Sequence, residues 1–275
     1  MNTATAIPTR PRESSPKKVT QARVILSEYT KFRSLRSTVF SMLAAVVFIV
    51  GLSVLVPSVV VAHWPPDRPG EALAFDPTAR SLSGIFLAQL AIGVLGVLLI
   101  SGEYATGMIR ASFAAVPARL PVLWAKAAVF ATVTLVLMVP SVLGAFLIGQ
   151  SILTSKHLQA NLSDPGVLRA VIGAALYLTV VGLLGIGLGA LLRNTAAGIS
   201  TLFGLLFVLP IIVRFLPSSW ADPISKYLPS SAGEAITHVH PNPAMLAPWN
   251  GFGLFCAYAL VVLIAAAISL RRRDT

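Results

Sequence analysis

Six long apolar runs, near residues 38–62, 82–101, 123–149, 168–192, 198–216 and 249–270, alternate with shorter polar segments. A helix needs about 20 residues to cross a hydrocarbon core of roughly 30 Å. Within that core no water satisfies the backbone, so only helices or closed barrels can span it. Barrel strands alternate apolar and polar side chains, and these runs do not. The pattern therefore predicts an all-α integral membrane protein with six transmembrane helices. Ahead of the first run, QARVILSEYTKFRSLRS (21–37) repeats Ala22, Ile25, Leu26, Tyr29 and Phe32 at helical spacing, with Lys31 opposite. This predicts a helix in the inner membrane interface, its interfacial residues being Glu28, Tyr29, Lys31, Phe32, Arg33 and Arg36. Arg33 and Arg36 fall near the apolar face and would snorkel to phosphates. A continuous extension of the first span is the alternative.

Between the runs, 63–80 and 151–166 are moderate loops, and 217–248 is a longer segment broken by prolines, predicting short helices at the outer surface. Only RNTAAG (193–198) joins spans four and five, which makes them an antiparallel pair. Span four carries Gly182, Gly185, Gly187 and Gly189. Gly185 and Gly189 form a small-xxx-small pair that lets helices approach closely, and Gly182, Gly185 and Gly189 are the candidate helix-packing residues. Pro57, Pro140 and Pro210 should kink their spans or mark their ends. Residues 1–20, rich in Pro, Ser, Thr and basic side chains, predict a disordered cytoplasmic tail. Residues 21–275 then form a single six-span domain.

Composition strengthens the membrane reading. Of 275 residues 56% are hydrophobic and only 11% charged, with a mean hydropathy of +0.81. A soluble chain carries roughly 25% charged residues. The net charge of +11 would suggest nucleic acid in a soluble protein. Here the basic clusters at 10–36, 110–126, 193 and 271–273 fall on one side of a six-span layout, which places both termini in the cytoplasm. The charge thus belongs to topology and anionic lipid, and no nucleic-acid partner is expected. Cys256 is the sole cysteine, and His238 and His240 lack a third ligand nearby, so neither disulfide nor metal is expected.

Chemistry is sparse. No lysine follows a glycine, so there is no P-loop; HExxH and GxSxG patterns are also missing. The chain is accordingly not expected to be an enzyme, with no catalytic residue and no cofactor of its own. No carboxylate lies deep in a run: Lys126, Arg169 and Arg214 sit near ends, and Gln89 is the most polar side chain well inside. Ion coupling normally retains such groups, so energy for transport would come from a partner.

The inner loop SGEYATGMIRASFAAVPARLPVLWAK (101–126) concentrates the remaining signals. Glu103 would begin a helix and suit its positive dipole end. Gly107 would give close approach, and Pro117-Ala118-Arg119 would end the helix before span three. Such a projecting helix is a handle for a cytoplasmic partner; an ordinary loop with a topogenic arginine is the alternative.

These segments resemble the membrane subunits of type-two ABC exporters, with a likeness to actinobacterial members. The likeness rests on Ser27, Glu28, Tyr29, Thr30 and Lys31 before span one, on Glu103, Gly107 and Ile109, and on Pro117, Arg119 and Lys126. YLPSSAGEAI (227–236), PWNGF (248–252) and the terminal RRRD (271–274) extend it along the chain. The resemblance implies a multi-pass permease of the bacterial plasma membrane, paired with a second permease subunit, as a homodimer or heterodimer. It implies two copies of a separate cytoplasmic ATPase that bind ATP, and an export path for a drug, antibiotic or lipid. Few charges in the spans favour an apolar or amphiphilic cargo. The resemblance further assigns ATPase coupling to the helix between spans two and three, with Glu103, Tyr104, Thr106, Gly107, Arg110, Pro117 and Arg119 as its residues. Two other readings compete: an ion-coupled secondary transporter, and a membrane assembly or regulatory protein that transports nothing.

Overall fold

The computed structural model describes residues 20–66, 70, 75–109, 114, 120–240 and 244–272. The tail over 1–19, together with Arg110, Pro117 and Arg119, lies outside the described residues. Six helices are long and apolar enough to cross a membrane: α2 (Arg36–Ala62), α4 (Ile85–Ala105), α5 (Leu120–Leu153), α6 (Val167–Leu192), α7 (Thr195–Arg214) and α10 (Pro248–Arg272). This is the make-up of a multi-pass membrane protein. The chain also forms α1 (Gln21–Ser34), α3 (Pro77–Ser81), α8 (Ser218–Ser225) and α9 (Pro229–Glu234). No strand occurs among the described residues.

α6 is the centre of the bundle. In its most apolar 18-residue stretch 83% of residues are buried within the chain, against 22% for both α2 and α7. It packs on α4, α5, α7 and α10, while α2 closes the far side of α4 and α5. Its sequence explains the position, because a helix apolar all round and rich in glycine can be approached from every side. α2 instead turns Met42, Ala45, Ile49 and Ser53 inward and leaves Phe40, Leu43, Val47, Leu55 and Val59 exposed. That exposed surface suits lipid.

Gly182, Gly185 and Gly189 of α6 face α4 and α5, whereas Gly187 meets Val262 and Leu263 of α10. A Cβ on Gly185 would stand 2.5 Å from the Gly93 carbonyl oxygen, and one on Gly189 2.7 Å from that of Val97. Gly182 is met by Phe130 of α5 and by Ile92 of α4. Backbone atoms cannot step aside as a side-chain tip can, so a methyl group there must part the two helices. Gly185→Ala is expected to cost about 1–3 kcal/mol despite alanine's better helix propensity. A lowered thermal midpoint in detergent checks this; an unchanged one would mean that α4 and α6 do not touch there.

The prolines behave differently from one another. α2 and α5 run through Pro57 and Pro140 without ending. In α7 a π-helical stretch, Gly204–Val208, directly precedes Pro210. The proline ring crowds the carbonyl four residues back, at Leu206, and the wider π turn gives it room. At the α6–α7 turn, Arg193 adopts a left-handed conformation and the Asn194 side chain accepts the Ala197 N–H at 2.9 Å. That cap satisfies a donor that the start of α7 would otherwise leave open.

α1 adds a feature that the sequence did not show, and one expectation needs correction. The protein-facing side of α1 is Val24, Glu28 and Phe32, buried against the bundle, whereas Ile25, Leu26 and Tyr29 of its apolar stripe are exposed. An inner face that carries a carboxylate cannot be found by hydrophobic period. α1 is also no simple extension of α2, because Leu35 between them is extended. The expectation to correct is that the whole 217–248 segment stays at the surface: α8 has no buried residue, but α9 buries Ser230, Ala232 and Gly233. Gly233 of α9 abuts Tyr177, ten residues into α6, which is about 15 Å from its start at 1.5 Å per residue. It also abuts Phe255 of α10, and Ala232 offers its carbonyl to the space above Gly251. The missing side chains of Gly233 and Gly251 are what let α9 wedge between two spans.

Candidate functional site

A four-member charge cluster lies where α1 meets the last turn of α4 and the second turn of α5. Lys126 Nζ donates to Glu28 Oε2 at 2.6 Å and to Glu103 Oε1 at 2.7 Å. Lys31 Nζ donates to Glu28 Oε1 at 2.8 Å and to Glu103 Oε1 at 3.4 Å. The Lys126, Glu28 and Glu103 side chains are 5–6% exposed, and Lys31 is 28% exposed at the rim. Among the described residues two carboxylates thus face two ammonium groups.

Each helix contributes for a local reason. Glu28 and Lys31 are three residues apart on α1 and so share a face. Phe32, one turn beyond Glu28, seats α1 by an edge contact with Phe130 of α5 at 6.3 Å between ring centres. Glu103 lies in the last turn of α4, not at the start of a new helix as the sequence suggested. There it sits at the negative end of the helix dipole, an unfavourable place for a carboxylate. Its ion pairs offset that cost. Burial pulls the Lys31 ammonium down, but the Glu28 hydrogen bond and both carboxylate charges outweigh it and raise the pKa above the ordinary lysine value. With a raised folded-state pKa, the Lys31 contribution persists through neutral pH and is lost only above the usual lysine range.

The cluster is asymmetric in how well it is satisfied. Glu103 Oε2 is buried and makes no hydrogen bond among the described residues, whereas both Glu28 oxygens are bonded. Glu103 is therefore the member with bonding capacity left over. The same end of α4 reaches two further helices. Tyr104 lies under the Arg193 guanidinium at 5.3 Å, and Arg193 Nη2 donates to the Ser269 carbonyl of α10 at 3.5 Å. Thr195 Oγ1 of α7 donates to Ser101 Oγ at 2.9 Å. One helix terminus is thereby tied to α1, α5, α6, α7 and α10. A displacement of that terminus must be felt by all five.

Of the residues singled out in sequence, the structure gathers Glu28, Lys31 and Glu103 at this site, with Phe32 and Tyr104 at its edges. Thr106 Oγ1 bonds only within α4 among the described residues, donating to the Gly102 carbonyl at 2.9 Å and to the Glu103 carbonyl at 3.5 Å. Among the described residues nothing lies within 4 Å of where a Gly107 Cβ would stand, so it gives no close approach to them. Its φ of +72° instead makes it the left-handed residue that ends α4. Tyr29, Arg33 and Arg36 point away from the cluster and are exposed. Of the helix expected over 103–116, residues 103–105 instead close α4 and 106–107 form the turn after it, while 110–113, 115 and 116 lie outside the described residues.

Lys126 was missed as a site residue. The signal was available: of the ten acidic residues, only Glu13, Glu28, Glu103 and Asp274 belong to the basic side of the layout. A lysine drawn into the start of an apolar run needs a carboxylate, and few were on offer. Among the described residues no three His, Cys, Asp or Glu side chains converge as a metal site requires. No protein-family model matches the chain, and no curated protein matches it either.

Proposed function

We propose that the chain is the permease subunit of an ABC exporter, driven by a separate cytoplasmic ATPase and moving an apolar or amphiphilic cargo. The observation that carries this reading is Lys126 bridging Glu28 of α1 and Glu103 at the end of α4. A partner that moves the α4 terminus or α1 would drive the whole bundle through that hub. Two ATPase copies and a second permease subunit complete the assembly, with both chain termini in the cytoplasm. The 217–248 segment then opens from the outer side.

Topology is tested on a Cys256→Ser background. Ser219 and Ser34 are exposed at opposite ends of the bundle. Ser219→Cys should react with an impermeant maleimide in intact cells, and Ser34→Cys only after permeabilisation. The reverse pattern would overturn the orientation. The purified chain alone should hydrolyse no ATP above background, because it has no glycine-lysine pair to cradle phosphate. Hydrolysis that tracks the chain through successive columns would contradict this.

One observation favours a second reading, an ion-coupled transporter: α9 carries Glu234 inward beside α6. Liposomes holding the chain alone would then move cargo on a pH gradient without nucleotide. The exporter reading expects none.

A further inference from the structure

A second polar locus lies away from the charge cluster, at the other end of the bundle. A cavity of about 170 Å³ opens between the α3–α4 corner and the turn that follows α9. Leu82, Ile85 and Phe86 form its apolar wall, and Ser83, Glu234 and Thr237 its polar corner. The Glu234 carboxylate has no hydrogen bond or ion pair among the described residues. Ser83 Oγ is buried and equally without a hydrogen bond. An acceptor pair of this kind beside an apolar wall lacks only a donor with a positive charge.

The surrounding charges do not supply one. Arg169 of α6 gives its Nη2 to the carbonyls of His238 and Val239, at 2.9 and 3.4 Å; its Nη1 is buried without a hydrogen bond among the described residues, and Arg169 forms no ion pair with Glu234 among them. His238, at the cavity edge, is held below its ordinary pKa by burial first; Asp76 opposes that shift and Arg169 adds to it. Tyr177 of α6 is the remaining titratable group that feels the Glu234 charge, and it donates its hydroxyl to Gln89. Asp76 itself caps α3, accepting the Thr78 and Ala79 N–H groups at 2.8 and 3.0 Å.

We propose that this cavity binds the primary ammonium group of an amphiphile, with Glu234 as counter-ion, Ser83 as second acceptor and the alkyl body against Leu82, Ile85 and Phe86. Calling that amphiphile cargo rests on the exporter reading; the site itself does not. The ammonium could come from a free amine or from a phosphatidylethanolamine headgroup, since both present the same three donors.

The ligand also carries a pH signature. Burial pushes the Glu234 carboxyl up to about 7, so it is mostly neutral at pH 6 and mostly ionised at pH 8. An alkylammonium stays charged at both values. Affinity scales with the competent fraction, which changes about tenfold between these pH values.

The test uses the purified chain in phosphatidylcholine nanodiscs, titrated calorimetrically with dodecylammonium, with protein-free discs subtracted. Wild type should bind about tenfold more tightly at pH 8 than at pH 6. Glu234→Gln should lose at least tenfold in affinity at pH 8, together with the pH dependence. Dodecanol, which has the chain without the charge, should bind both proteins equally and weakly. The amide variant removes a half-buried charge without changing shape, so it is expected to fold at least as well as wild type, and the wild-type pH comparison needs no variant at all. Dodecanol binding as tightly as dodecylammonium, or Glu234→Gln retaining full affinity at pH 8, would overturn the site. Phosphatidylethanolamine in the discs that weakens dodecylammonium binding identifies a lipid headgroup as occupant; no effect identifies a free amine. No ATPase is present in this assay, so its outcome and that of the exporter reading are independent.

Discussion

Lys126→Ala is expected to lower the unfolding free energy by about 3–5 kcal/mol, the usual cost of removing one partner from a buried ion pair. The substitution would leave Glu28 and Glu103 buried against each other, with only the rim residue Lys31 to balance them. The chain cannot hydrate those carboxylates without lifting α1 off α5. Loss should therefore appear both as a lower thermal midpoint and as protease sensitivity of α1. The pairing itself is not what the fold needs most. Replacing all three buried members together, as Glu28→Gln, Lys126→Met and Glu103→Gln, should recover most of the lost stability, because the one charge of the cluster that remains, Lys31, is 28% exposed at the rim. If Lys126→Ala alone melts like wild type, the cluster does not exist in the membrane.

Glu103→Gln is expected to act on activity rather than folding. Lys126 keeps its 2.6 Å bond to Glu28, so α1 stays docked, and the loss is that of one charge-assisted hydrogen bond, about 1.5–3 kcal/mol. What disappears is the charged link from the α4 terminus to α1 and α5. In the assembled transporter, cargo-stimulated ATP hydrolysis should fall at least tenfold while membrane accumulation and basal folding stay near wild type. Glu28→Gln, which removes the better-bonded carboxylate, should instead impair folding first. Wild-type stimulation in Glu103→Gln would reduce the hub to a static anchor. Loss of the protein from the membrane would give Glu103 a purely structural part.

Much of the architecture was legible because a lipid-spanning helix advertises itself by length and apolarity alone. The six helices lie within a few residues of the six apolar runs, with α4 shifted to Ile85–Ala105 and α5 extended on both sides. Faces were not legible. Lipid and helix interior are equally apolar, so no hydrophobic period separates them, and nothing in the apolar stripe of α1 showed that Val24 and Glu28 face the bundle while Ile25, Leu26 and Tyr29 are exposed. The glycines of α6 were visible, yet their partner was not, since Gly93 and Val97 lie about ninety residues earlier. The same distance problem hid the cluster, whose Glu28 and Lys126 are 98 positions apart. Glu103 was noticed for the right locality and the wrong reason: its neighbours, not a helix start, make the carboxylate tolerable there. The inward course of α9 was invisible because prolines and serines read as a surface loop, and only the contacts of Gly233 and Gly251 reveal the wedge.

The central claim is that an outside ATPase works on the bundle through the Glu28–Lys126–Glu103 hub. The most direct measurement is to purify the tagged chain from its native membrane in mild detergent, identify what accompanies it, and assay ATP hydrolysis of the eluate with wild type and with Glu103→Gln. The account predicts a P-loop protein in amounts equal to this chain, with hydrolysis that cargo stimulates in wild type and does not in the variant. A chain that elutes without any P-loop protein, yet transports cargo on a proton gradient in liposomes, would contradict it.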